Sequence, residues 1–265
     1  MPKLALISPV HNCLEYTQAM LSSIRFFENK LNIYIIDNGS TDKTQQALMK
    51  MIDAHKFFYI RFDRNLGVAA AWNTGIRAAM SHQIDYYLIT NNDVVFRDDT
   101  LINLFTQYLT DDVDLLSAYN IHDQYPLELL DSLKPVNRIG RFVDFSCFIL
   151  ARHVIDKIGW FDENFYPAYF EDCDYQARLW LADLHSYSTK MALYYHYGSV
   201  TQKSIPGRIC QSAEYQANQK RFIAKWGHLP VPNADQAHKH YFKHPFNIPQ
   251  YSLKDCPSSQ TDSQF

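Results

Sequence analysis

The sequence predicts an α/β fold, a doubly wound and mostly parallel sheet with helices on both faces. Two observations carry that expectation. Short apolar runs alternate with segments of helical spacing through the first half of the chain. Three of those runs end in polar, turn-forming residues, as strands do at the edge where open α/β sheets bind ligands.

The elements run in order. Leu4 to Val10 is an apolar strand, ended by the polar pair His11-Asn12. Glu15 to Phe27 places Met20, Leu21, Ile24 and Phe27 at helical spacing. Leu31 to Ile36 is a second strand, closed by Asp37-Asn38-Gly39-Ser40, with Thr41 or Asp42 to cap a helix over Lys43 to Ile52. Phe57 to Phe62 is a third strand, and the loop Asp63 to Gly67 leads into a helix from Val68 to Met80. A fourth strand begins at Tyr86. Asp98 or Asp99 caps a helix over Leu101 to Leu109, and Val113 to Ala118 is a fifth strand.

Beyond Asn120 the alternation breaks. Asn120 to Ile139 carries Pro126 and Pro135 and reads as a mobile loop over the sheet edge, a candidate lid. Phe142 to Leu150 reads as a strand, Arg152 to Ile158 as a short helix and Gly159 to Glu163 as a turn. Asp172 to Ala182 is a helix, Met191 to Tyr197 a strand and Ser212 to Trp226 a final helix. The tail from Pro257 to Phe265 is polar and reads as disordered.

Composition narrows the classes. The 265 residues are 47% hydrophobic and 20% charged, which suits a globular chain with a substantial core. A net charge of -3 gives no nucleic-acid footprint. No apolar run is long enough to span a bilayer, and the start does not resemble a signal peptide. Five scattered cysteines without a Cys-x-x-Cys pattern point to a reduced, cytoplasmic setting.

Three constellations carry chemistry. The first is Tyr86-Tyr87-Leu88-Ile89-Thr90-Asn91-Asn92-Asp93-Val94, a strand that runs into two asparagines and a carboxylate. Asp93 is a hard oxygen donor suited to Mg²⁺ or Mn²⁺, ions that commonly bridge carboxylates to substrate phosphates. An ordinary Asn-Asp turn gives the same pattern. With Pro9 to Asn12 and Asp37 to Ser40, this strand end lines one rim. There Asp37 could accept the imide N–H of uracil or thymine, or simply form a turn. The Gly-rich dinucleotide and P-loop signatures are absent. The second constellation is Phe165 to Asp174, where aromatics flank Glu171, Asp172 and Asp174 at a helix start. A carboxylate there could take a proton from an attacking hydroxyl, or Asp172 could merely cap the helix. The third is His196 at a strand end, a possible metal ligand.

Taken in order, these pieces resemble the family 2 glycosyltransferases, inverting enzymes of GT-A fold that use nucleotide-activated sugars. The resemblance spans residues 3 to 227. It rests on Ser8-Pro9-Val10-His11-Asn12, Ile36 to Asp42, Asn65-Leu66-Gly67, Asn73-Thr74-Gly75 and Asn91-Asn92-Asp93. It continues through Gly159 to Glu163, Glu171-Asp172, His196 with Gly198-Ser199, and Lys225-Trp226-Gly227.

The resemblance implies a single GT-A domain over residues 1–227, with a nucleotide-sugar half (1–119) and an acceptor half (120–227). Residues 228–265 form a C-terminal, acceptor-side extension. It implies that Pro9, Val10, His11, Asn12 and Asp37 hold the nucleoside, with Asn65 and Asn73 lining that site. Asn91-Asn92-Asp93 stands where the family has its Asp-x-Asp motif, with Asp93 on Mn²⁺ or Mg²⁺ and Asn92 near the ribose. Asn91 departs from the motif and removes one negative charge. Asp172 matches the catalytic base, Glu171 orients the acceptor or the loop, and His196 completes the metal site. The implied partners are a UDP- or dTDP-linked sugar and a carbohydrate or glycoconjugate acceptor, with at most peripheral membrane contact. Two rivals are a sugar-1-phosphate nucleotidyltransferase, whose Gly-rich basic first loop is missing, and a non-catalytic sugar- or nucleotide-binding module.

Overall fold

The computed structural model describes residues 2–26, 30–55, 57–122, 124–137, 139–140, 143–198 and 212–241. In chain order these form β1 (Leu4–Val10), α1 (Leu14–Ser23), β2 (Leu31–Asp37), α2 (Thr44–His55), β3 (Phe57–Arg61), α3 (Val68–Ser81), β4 (Tyr86–Thr90) and β5 (Val94–Phe96). Next come α4 (Thr100–Thr110), β6 (Leu115–Asn120), a 3₁₀ segment (Leu127–Ser132), β7 (Ile139–Gly140), β8 (Cys147–Ala151) and α5 (Arg152–Ile158). The last elements are α6 (Glu171–Leu181), β9 (Ser186–His196), α7 (Ala213–Trp226) and α8 (Ala234–His240).

One sheet, ordered β3-β2-β1-β4-β8-β6-β9-β5 with β7 on β9, carries the fold. Its first four strands are parallel, as the alternation predicts. The remainder is mixed, with β8 antiparallel to β4 and β6, β9 parallel to β6, and β5 and β7 antiparallel to β9. The break coincides with the loss of βα alternation after Asn120.

Strand alternation divides the core into two layers. Ala5 and Ile7 of β1 face α3, α5 and α6 through Trp72, Ile76, Ile155, Tyr175 and Leu179. Leu4 and Leu6 face α1, α2 and α4 through Met20, Leu48, Leu104 and Phe105. Burial on both faces explains why these strands read as unbroken apolar runs. A third cluster packs Phe170 and Ala177 against Phe222, Trp226, Val231, Ala237 and Tyr241. Residues 228–241, expected as an extension, therefore pack into the same body, while the expected disordered tail lies outside the described residues.

Several expectations shift. The loop after β6 has its own apolar anchor in Ile121, Leu130 and Leu193, so its 3₁₀ segment is tied to the sheet. The strand expected from Phe142 begins at Cys147, because Asp144 accepts hydrogen bonds from the Ser146 backbone N–H and hydroxyl and folds a turn instead. β9 begins five residues before Met191. Asp42 accepts the Thr44 N–H at 2.8 Å and so starts α2. Among the described residues no helix is long and apolar enough to cross a membrane.

Candidate active site

The carboxyl ends of β1, β2 and β4 lie side by side on one edge of the sheet, with Val10 in register with Asp37. The chain passes to β2 and β3 on one side of β1 and returns to β4 on the other. That switch opens a crevice at the strand ends, the usual ligand position in open α/β sheets. β6 and β9 point the same way, so Asn120 and His196 end on this rim too.

The floor of the crevice is stitched by its own polar groups. His11 Nδ1 lies 2.9 Å from the Asn38 carbonyl. Asn12, in the left-handed region, accepts the Thr41 N–H at 2.8 Å and donates its backbone N–H to Ser40 Oγ. Val10 is buried and belongs to the core, while Pro9, His11 and Asn12 are partly exposed. Asn38 spans to the next loop, accepting the Leu66 N–H at 2.8 Å and donating to the Gly67 carbonyl at 3.1 Å. Gly39 makes this possible: its φ is +73°, and a Cβ there would lie 2.3 Å from the Arg64 carbonyl carbon. Asn65 Oδ1 accepts the Gly67 N–H at 2.8 Å, and its side chain remains partly exposed.

Two expectations are corrected here. Asp37 does not present a carboxylate to a base. Its side chain is fully enclosed, Oδ1 accepts the Ser40 N–H, and Oδ2 accepts the Tyr59 hydroxyl and the Arg61 guanidinium. Asp37 is committed to holding the β2–β3 edge. Asn73 does not line the crevice either. It is fully buried, and its amide exchanges hydrogen bonds with the backbone of Phe161 and reaches Glu163 at 2.9 Å. It fixes the Gly159–Glu163 turn on α3.

The Asn91-Asn92-Asp93 triplet leaves β4 at the centre of the rim. Asn92 donates to Thr17 Oγ1 at 2.9 Å and so is tied to α1. Asp93 Oδ1 lies 3.0 Å from His196 Nε2, although 103 residues separate them. Backbone pairing enforces the meeting: Val94 is opposite His196, the Tyr197 N–H donates to the Asp93 carbonyl, and the His196 N–H donates to Asn120 Oδ1. The Asn91 amide nitrogen is 3.4 Å from the same imidazole nitrogen. Sequence reasoning expected His196 beside Asp93, and the structure brings them together.

A divalent cation fits this donor set. The carboxylate oxygen suits Mn²⁺ or Mg²⁺, and a neutral imidazole, a weaker partner than carboxylate, can complete the shell of Mn²⁺. Among the described residues no third His, Cys, Asp or Glu joins them. Such ions typically take one or two protein ligands and leave their other positions to phosphate and water.

The segment Phe165 to Asp174 stands across the rim. Tyr169 and Phe170 both have positive φ, 77° and 73°, just before α6. Phe170 is the N-cap and has no side-chain capping bond, so Asp172 is not the cap. Asp172 accepts the Cys173 N–H at 2.7 Å and borders a cavity of about 190 Å³ shared with Val143, Phe145, Trp180 and Tyr241. Burial pushes its carboxyl above the usual range, and the charge of Asp144 adds to this. Glu171 is enclosed, with Oε2 unpartnered; burial first, then the Asp172 charge, raise it well above its ordinary value. The segment Asp144 to Ser146 joins the two sides: the Asn91 N–H donates to the Ser146 carbonyl at 2.9 Å, and the Asp144 charge reaches Asp172.

Sequence reasoning missed the supports of this site. Asp174 is fully buried, paired with Arg178 at 2.8 Å and Lys225 at 2.6 Å, and accepts the Trp226 indole N–H at 2.8 Å. Lys225 also meets Asp162 at 2.6 Å. The i,i+4 spacing of Asp174 and Arg178 was a usable signal. From α7, Lys225 and Trp226 were marked only as part of the resemblance, and Asn218 gave no signal.

Comparison with known proteins agrees with this geometry. Residues 5–130 match the model of glycosyl transferase family 2. An uncharacterized glycosyltransferase of Haemophilus influenzae is 34% identical over 103 residues, covering 38% of this chain and 40% of that protein. The chain spans about half the length of the curated relatives it matches. Among solved structures, a mannosyltransferase from Pyrobaculum calidifontis in complex with GDP-Man and Mn²⁺ superimposes with a TM-score of 0.63 at 18% identity, covering 89% of this chain and 68% of that one. GalNAc-T7 with UDP, GalNAc and Mn²⁺ gives a TM-score of 0.64 at 12% identity, over 85% and 48% of the two chains. Residues 5–130 are therefore similar to glycosyl transferase family 2, and the chain has the GT-A fold seen in those glycosyltransferase structures.

Proposed function

We propose that this chain is an inverting glycosyltransferase that moves a sugar from a nucleotide-activated donor to a hydroxyl of a carbohydrate or glycoconjugate acceptor. The pairing of Asp93 with His196 on the strand-end rim carries this reading. Asp93 and His196 would hold Mn²⁺ or Mg²⁺. When bound, that cation supplies Lewis-acid neutralisation of the charge growing on the leaving diphosphate.

The rest is done by the chain's own residues. Pro9, His11, Asn12 and Asn65 provide the partly exposed floor for the nucleoside. Asn91 and Asn92 flank Asp93 and set its direction through the Ser146 carbonyl and Thr17. Asp172 takes the proton of the acceptor hydroxyl as its oxygen attacks the anomeric carbon opposite the leaving group, and one displacement inverts the configuration. The raised pKa suits this role, because a more basic carboxylate takes a proton more readily. The enclosed Glu171 keeps the helix start compact and water-poor. The donor preference expected from Asp37 is not carried forward, since that carboxylate is committed elsewhere.

The test is a donor panel of UDP-, dTDP- and GDP-sugars, read as release of nucleoside diphosphate with and without Mn²⁺, plus the anomeric configuration of the product. Metal-dependent release and inversion are expected, and Asp172→Asn should lower transfer by about 10²–10⁴. Undiminished transfer by a folded Asp172→Asn enzyme would remove Asp172 as the base.

A further inference from the structure

The segment that delivers Asp172 is not self-supporting. Two successive non-glycine residues, Tyr169 and Phe170, occupy the left-handed region, which persists only when surrounding contacts hold it. On the α3 side the Val68 N–H donates to the Pro167 carbonyl at 2.9 Å and the Tyr166 hydroxyl reaches the Asn65 carbonyl at 3.4 Å. On the other side α7 packs Tyr215 and Phe222 against Tyr169 and Phe170 and contributes the amide of Asn218. Asn218 of α7 is fully buried, and its amide nitrogen lies 3.1, 2.8 and 3.2 Å from the carbonyl oxygens of Tyr166, Ala168 and Tyr169. An amide has two N–H donors, so both are spent on this turn and one is shared. Arg221, whose own side chain is exposed, donates to Asn218 Oδ1 at 2.6 Å and so fixes which end of the amide faces the loop.

We infer that Asn218 is a positioning residue that sets the place of Asp172, through the left-handed turn three residues before the base. This rests on the reading of Asp172 as the base. An apolar residue would leave three carbonyls without this donor, and aspartate would set a carboxylate against them. α7 itself does not depend on the amide, because Phe222, Trp226 and Lys225 anchor it separately. The loss should therefore fall on the position of the base rather than on the fold.

The experiment compares wild type with Asn218→Ala, Arg221→Ala and Asp172→Asn, using steady-state transfer with the donor found active in the panel and hydrogen exchange over residues 165–173. Asn218→Ala should lower kcat by about 10- to 100-fold while donor KM moves less than about threefold, the split expected when a reacting group is displaced but ground-state binding is kept. Exchange should quicken in the segment and not in β1 or β2. Arg221→Ala should lower kcat by roughly three- to tenfold through a loosened amide. A folded Asn218→Ala enzyme with wild-type kcat, beside an inactive Asp172→Asn, overturns the positioning role alone. If Asn218→Ala does not fold, an unchanged kcat in Arg221→Ala overturns it as well. An active Asp172→Asn overturns the assignment of the base, and the positioning role with it.

Discussion

Replacing Lys225 by methionine tests whether the C-terminal helix holds the catalytic half together. Its ammonium lies 2.6 Å from Asp162 Oδ2 and 2.6 Å from Asp174 Oδ1, and the three side chains are 16%, 10% and 0% exposed. Methionine fills nearly the same volume, so the packing against Phe165 and Trp226 persists and the charge alone is lost. Removing one partner of a buried ion pair costs about 3–5 kcal/mol, since an uncompensated charge stays inside. Here each carboxylate keeps some help. Asp174 retains Arg178 and the Trp226 N–H, and Asp162 retains the N–H groups of Asn164. The expected loss is therefore at the low end, about 3 kcal/mol at pH 7.

The same substitution should change how stability depends on pH. Burial pushes the Asp162 carboxyl up, and the Lys225 ammonium with the Asn164 hydrogen bonds more than offsets this, leaving it below the usual range. A group depressed on folding stabilises the native state above its unfolded pKa of about 3.9, and that contribution is lost as pH falls through the folded value. Without the ammonium, burial is opposed by the Asn164 hydrogen bonds alone, and Asp162 should protonate at higher pH than in the wild type. The destabilisation should then be largest at neutral pH and shrink as the pH falls toward 4. Urea unfolding of both proteins at pH 7 and near pH 4.5 measures this. A loss below about 1 kcal/mol, or one that does not change with pH, would refute the reasoning.

Two further outcomes are expected. Gly39→Ala should lose more than about 2 kcal/mol in urea unfolding, because a Cβ would strike the Arg64 backbone and φ is +73°; a neutral effect would show that the loop yields. Asp93→Ala and His196→Ala should each weaken Mn²⁺-dependent binding of nucleoside diphosphate by at least about tenfold in calorimetry. Unchanged affinity in either variant would place the ion elsewhere.

The first half of the fold was legible because its strands are buried on both faces and its helices repeat at a clear period. The chain beyond Asn120 was less so, for reasons that particular residues show. The opening of β9, Ser186-Tyr187-Ser188-Thr189-Lys190, is polar and alternates weakly; pairing with β6 and β7 makes it a strand. α8 has a single buried alanine, Ala237, among histidines and charges, so no period announced it.

The site divides along the same line. Residues whose side chains are spent on partners elsewhere in the protein were misread, and the meeting of Asp93 with His196, fixed by strand order, was anticipated. Asp37 looks the same whether it reads a base or binds an arginine, and Arg61, 24 residues on, decides the matter. Asn73 likewise looks available until the turn at Phe161 closes on it. His196, by contrast, is undistinguished as a residue, yet its strand ends on the rim that also receives Asp93. A polar residue at a strand end is thus an ambiguous signal by itself, because stitching a loop and binding a ligand demand the same donors and acceptors. The ambiguity lifts only when the local hydrogen bonds are counted. On this rim the count satisfies Asp37, Asn38 and Asn73 within the protein. It leaves Asp93 beside the His196 imidazole, and gives Asp172, which borders a cavity, a single backbone N–H. Those are the two carboxylates to which we assign the substrate chemistry in the proposed function.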